Sequence, residues 1–285
     1  MEWVVLIKGI FKKNAIKLLG VLLKEKNIAV LKPGNSILRQ CYNSGLSPVV
    51  IHCPVELCCW SLWDGKGQEG VHPLEWAARK YNEDVDEEEI AKELKTYYQV
   101  QWNKDIDSIL QVSRKMVPGL SGKNILAAVY PWDKLTPEQR YYNTINNHTL
   151  KNRLRIEAID THDAAAELYY RAVKLELGYL FKLAKSIKEK GYLRNNKPDG
   201  DIRGELLVKG DGEGGNYRVL VRSGQHRFAT LLANGEKEIP IRIFNKPPHV
   251  IRIEEVNCWP NVAKGSYTAE GAGLIFEKFF YHREV

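Results

Sequence analysis

The chain has 285 residues, enough for one large domain or two modest ones with a real core, so a peptide-sized scaffold is excluded. With 44% hydrophobic and 27% charged residues, 22 Gly and 12 Pro, the composition is that of a folded globular protein and excludes disordered, collagen-like and Pro-rich readings. The formal charge of +7 favours anionic partners without choosing between nucleotide, nucleic acid and acidic lipid.

From the N-terminus, Ile7, Phe11, Ala15, Leu18 and Leu22 recur near helical spacing while Lys8, Lys12, Lys13 and Lys17 lie largely elsewhere, which predicts a basic amphipathic helix over Ile7–Leu23. Its expected place is against the protein, with peripheral contact to an anionic membrane surface as the weaker reading. The apolar run Leu18–Leu23, flanked by lysines, is far short of the roughly 18 residues a membrane span needs. Met1-Glu2-Trp3 lacks the basic lead of a secretory signal, so the expected location is cytoplasmic. Asn27–Leu31 reads as a strand, Ile37–Asn43 as a short helix and Pro48–Cys53 as a second strand, a sequence that predicts a parallel β-α-β unit.

Five cysteines, Cys41, Cys53, Cys58, Cys59 and Cys258, form an odd set that suits reduced thiols better than a disulfide framework. They lack the Cys-x-x-Cys spacing that grips a zinc ion, so no metal ligand is assigned. Pro73–Tyr81 and Asp86–Tyr98 read as helices, the second with Glu87, Glu88 and Glu89 where the helix dipole favours acid. Between Val117 and Asn147 the residues Pro131-Trp132 and Asn146-Asn147 mark turns, and a domain boundary is expected near residue 150. This divides the chain into an N-terminal region, 1–150, of mixed helix and strand and a C-terminal domain, 151–285.

In the second part Leu154–Ile159 is strand-like, and Ala164–Lys190 is a long helical stretch ending at Gly191. Strands Glu205–Lys209 and Tyr217–Arg222 flank a glycine-rich reversing loop. Ser223-Gly224-Gln225-His226-Arg227 follows, then a helix to Ala233, Gly235 as its stop, and a strand over Ile239–Ile243. A strand that ends in glycine and turns straight into a helix leaves unpaired N–H groups aimed at one spot, the geometry of a phosphate site. Gly224 permits close backbone approach, Arg227 offers a forked pair of donors, and His226 offers one more.

The order of these pieces, with Gly-x-His-Arg followed by a helix, Gly235 and Ile239-Pro240, resembles the ParB/sulfiredoxin-like superfamily over about residues 152–246. The resemblance implies an α+β fold in which Ser223, Gly224, Gln225, His226 and Arg227 bind the phosphates of a nucleotide, ATP or another NTP or NDP. Sulfiredoxins carry a catalytic Cys where this chain has Gln225, so thiol-based sulfinic acid reduction is dropped. Chromosome-partitioning ParB proteins usually have Glu there with Arg next, followed by a helix-turn-helix domain for which Val250–Val285 is too short. Members with His-Arg turns resemble small-molecule kinases such as the free-serine kinases, and others are nucleases or DNA-modification proteins.

The leading expectation is therefore a nucleotide-binding phosphotransferase acting on a small-molecule acceptor, with Mg²⁺ balancing phosphate charge. A DNA-associated or nuclease-like module and a membrane-surface accessory protein are the alternatives. In related domains the loop between the first strand and its helix lines the pocket, which makes Asp160, His162 and Asp163 the catalytic candidates, Asp160 first because Asp163 can serve as helix cap. Glu205 is a weaker candidate. Trp259 is weighed as a pocket-flanking aromatic against the commoner role of filling a core.

Overall fold

Strict alternation organises the sheet: along Tyr217–Ser223, Tyr217, Val219 and Val221 pack into one apolar cluster while Leu220 packs into another on the opposite face. The computed structural model describes residues 29–31, 36–44, 49–64, 70–102, 104–146, 162–192, 201–243 and 250–281. The fold is α+β with a mixed sheet.

In chain order the elements are β1 (Ala29–Leu31), α1 (Ile37–Asn43), β2 (Val49–Pro54), β3 (Cys58–Cys59), α2 (Pro73–Asn82), α3 (Glu87–Trp102), α4 (Ile106–Leu110), α5 (Pro137–Ile145), α6 (His162–Lys190), β4 (Ile202–Val208), β5 (Tyr217–Ser223), α7 (Gln225–Ala233), β6 (Glu238–Ile243), β7 (Val250–Arg252), α8 (Pro260–Ala263) and α9 (Ala269–Tyr281). Short 3-10 turns connect several of them. Local chemistry accounts for the helix ends. Ser36 accepts from the Arg39 N–H at the start of α1, and Thr136 and Gln139 form a reciprocal capping box with Pro137 in the first turn of α5. Gly191, at φ +72°, follows the last residue of α6.

The strands hydrogen-bond in the order β1-β2-β6-β4-β5-β3, with β7 pairing β4 beyond the reach of β6. β1 and β2 run parallel, as the β-α-β reading expects. β4 and β5 are antiparallel around the glycine-rich loop, and β4 and β6 are parallel. Strands from both sides of residue 150 share this sheet: β2 pairs antiparallel with β6 through Val50↔Arg242 to Pro54↔Glu238, and β3 pairs with β5. The boundary expected there therefore does not divide the sheet, because pairings some 190 residues apart leave no local trace in composition.

One face of the sheet is covered by α1, α6 and α7, which bring Ile37, Cys41, Ile187, Phe228 and Leu231 onto Ile51, Leu206, Val219 and Ile241. The other face carries the segment from α4 to Trp132, together with β7, Trp259 and α9. A third cluster joins α2, α3 and α6 around Trp76, Ile90 and Leu180, with Ala229 of α7 at its border. The cysteines are free thiols; Cys41, Cys53 and Cys58 are buried, and burial pushes the Cys41 thiol up to about 12. No helix among the described residues is long and apolar enough to cross a membrane. The Ile7–Leu23 and Leu154–Ile159 segments lie outside the described residues.

Candidate functional site

The Ser223–Arg227 segment is a strand-to-helix turn: β5 ends at Ser223, Gly224 stands between, and α7 begins at Gln225. Gly224 has φ +77° and ψ +25°, a left-handed conformation that disfavours any residue with a Cβ. Space reinforces the restriction, since a Cβ at Gly224 would lie 2.9 Å from Ile202 Cα and 3.1 Å from the Asp201 carbonyl oxygen. The first intrahelical bond runs from the Phe228 N–H to the Gly224 carbonyl, 3.0 Å away. Helix geometry thus leaves the N–H groups of Gln225, His226 and Arg227 without intrahelical acceptors, and Gly224 has no side chain with which to cap them. All five residues of the turn are half-buried, so the donors are recessed yet reachable.

The charged side chains around the turn differ in what they are bound to. His226 Nε2 lies 2.7 Å from Glu176 Oε2, which ties the first turn of α7 to the middle of α6. Asp201 is almost fully buried and its Oδ2 accepts from Arg242 Nη1 at 3.3 Å. Arg227 has no carboxylate partner among the described residues.

Arg222, two residues before Gly224, is held on the opposite face. Ser223 pairs with Arg203 and Val221 with Gly204, so Arg222 is the extra residue of a β-bulge, a device that re-aims a side chain. Its Nη2 donates to Asp133 Oδ1 at 3.0 Å, its Nη1 lies 3.4 Å from Glu205 Oε2, and its guanidinium stacks 4.9 Å from the Tyr130 ring centre. Asp133 Oδ2 accepts from the Tyr130 N–H at 2.8 Å, and Glu205 Oε2 accepts from Trp132 Nε1 at 3.1 Å. Burial raises the Asp133 pKa above the ordinary carboxylate value; Arg222 pulls it down and Glu205 pushes it further up.

The expected catalytic loop fares differently. Asp160 lies outside the described residues, and of His162 and Asp163 only the backbone, at the start of α6, is described. Thirteen residues of continuous helix separate Asp163 from Glu176, the α6 residue that meets the turn, and at 1.5 Å per residue this is about 20 Å of axis. The structure therefore brings the middle of α6, not its N-terminus, to Ser223–Arg227. Glu205, the weaker candidate, meets Arg222 on that opposite face, 3.4 Å from its Nη1.

Sequence reading passed over Asp133, Arg222 and Glu176. Asp133 sits in a segment that reads only as a connection, and no periodicity links it to a strand 89 positions later. Trp259 takes the core role: it is 4% exposed, with its ring 5.2 Å from Trp132 and 5.7 Å from Phe276. Compared with known proteins, the chain matches no family model, no curated protein and no solved structure.

Proposed function

We propose that the chain is a nucleotide-binding protein of the ParB/sulfiredoxin-like type that holds nucleotide phosphates at Ser223–Arg227 and transfers a phosphoryl group from ATP or another NTP to a small-molecule acceptor. The observation that supports this most is the turn itself, where a left-handed Gly224 opens α7, the half-buried Gln225, His226 and Arg227 carry N–H groups without intrahelical acceptors, and Arg227 has no carboxylate partner among the described residues. In this reading a phosphate is met by the N–H groups of Gln225, His226 and Arg227 and by the Arg227 fork. The side chain of His226 offers Nδ1 to it in this reading, with Nε2 facing the Glu176 carboxylate at 2.7 Å.

Gln225 is not a nucleophile, so transfer runs directly to the acceptor with no phospho-enzyme. Among the described residues no group of three His, Cys, Asp or Glu side chains converges to hold a metal ion, so Mg²⁺ in this reading enters with the nucleotide. Asp160 and the side chains of His162 and Asp163 lie outside the described residues, and in this reading they are assigned no contact with the phosphate.

A thermal-shift screen with ATP, ADP and GTP, each with and without Mg²⁺, tests the proposal. A nucleotide at about 100 times its Kd stabilises a fold by about 2.7 kcal/mol, which for a chain of this length raises Tm by roughly 5–10 °C. No shift with any nucleotide, combined with a shift on adding duplex DNA, would move the reading to a DNA-associated module.

A further inference from the structure

Asn261 is wholly buried in α8, and its amide makes bonds that no surface requirement explains. Nδ2 faces the carbonyl oxygens of Tyr130, Asp133 and Leu135 at 3.1, 2.8 and 3.0 Å, and the Asn261 N–H donates to the Pro131 carbonyl at 2.9 Å. The neighbouring Tyr267 hydroxyl donates to the Val129 carbonyl at 2.5 Å. One buried amide therefore fixes the path of the loop from Tyr130 to Leu135. That loop encloses Arg222 with the Tyr130 ring and the Asp133 carboxylate, while Trp132 holds Glu205 on the same guanidinium.

We infer that Asp133 is a positioning residue for the Ser223–Arg227 turn, acting through Arg222 and held in place by the Asn261 clamp. The bulge makes this coupling physical. Arg222 is the one residue of β5 with no register partner, so between Val221 and Ser223, where the ladder resumes directly before Gly224, the path of the strand is set by what holds Arg222. A half-buried guanidinium settles where its counter-charges are, and one of those is carried by the clamped loop. Gly224 then packs against Asp201 and Ile202, leaving the start of α7 little freedom once Arg222 is fixed. The inference concerns the geometry of the turn and stands apart from what the turn binds.

Amide hydrogen exchange read by mass spectrometry on the ligand-free chain tests it. Asp133→Asn keeps the shape and removes the charge, and it is expected to speed exchange in a peptide spanning residues 217–229 by roughly fivefold or more, with peptides from 73–102 unchanged. Asp133→Glu, which keeps the charge, is expected to recover much of the protection. Asp105→Asn, which removes an exposed partner of Arg114, serves as control and leaves the turn unaffected. Unchanged exchange at 217–229 in Asp133→Asn would overturn the inference, and so would a rise spread evenly over the whole sheet, the signature of plain destabilisation. If Asp133→Asn does not fold, Arg222→Lys is read by the same two criteria. Failure of the parent to bind nucleotide would remove the proposed function and leave this exchange result standing on its own.

Discussion

Gly224 concentrates the residue-scale constraints: a positive φ, a backbone contact with the start of β4, and a helix that begins at the next residue. Gly224→Ala places a Cβ in a left-handed conformation, which costs about 1–2 kcal/mol, and drives it against main-chain atoms that have no side-chain freedom to yield. Urea unfolding is expected to show a loss of at least about 2 kcal/mol, and a loss below 0.5 kcal/mol would mean the turn relaxes more easily than its geometry implies. This turn was legible in the sequence because glycine between an alternating apolar strand and a helical run has few other uses. The surroundings were not. Arg222 reads as an ordinary strand residue, and only the bulge and the fold of a distant loop give it Asp133 as partner.

Elements of strong period are the ones sequence predicts well, and α1, β2, β5, α7 and β6 lie where the apolar spacing puts them, because each buries one face against the sheet. What spacing does not give is which part of a helix meets which neighbour. Ala164–Lys190 of α6 was legible as a helix, but the expectation that the loop before it lines the turn came from resemblance, and the described α6 residue that meets the turn is Glu176, in the middle of the helix. The C-terminal segment lies beyond the resemblance over about residues 152–246, yet β7 pairs with β4, and Phe276 and Phe279 of α9 pack with Trp132 and Trp259. Lys209 of the β4–β5 connection also forms an ion pair with Glu277 of α9. Trp259→Ala is accordingly expected to cost about 3–5 kcal/mol of stability, as for a large aromatic removed from a core. A Trp259→Ala protein that unfolds at the parental urea midpoint would place this residue outside the load of the core.

At the scale of the whole molecule, one sheet gathers strands from both sides of residue 150, and acid–base behaviour follows from what that assembly buries. The folded pKa of Asp133 lies above its ordinary 3.8, chiefly through burial, so the folded state holds this proton more tightly than the unfolded chain. Its contribution to stability is present below pH 3.8 and is lost as pH rises through the raised value. Asp133→Asn does not titrate, so its stability relative to the parent is expected to increase as pH climbs across that window, whatever fixed offset the lost hydrogen bond adds. Urea midpoints of both proteins at successive pH values check this, and a constant difference would contradict it. The central claim, that Ser223–Arg227 holds nucleotide phosphate, is tested most directly by calorimetric titration of the parent and Arg227→Ala with the nucleotide that stabilises the fold most. The account predicts binding by the parent and a loss of about 1.5–3 kcal/mol in Arg227→Ala, the worth of a charged hydrogen bond, and equal affinity in the two proteins would contradict it.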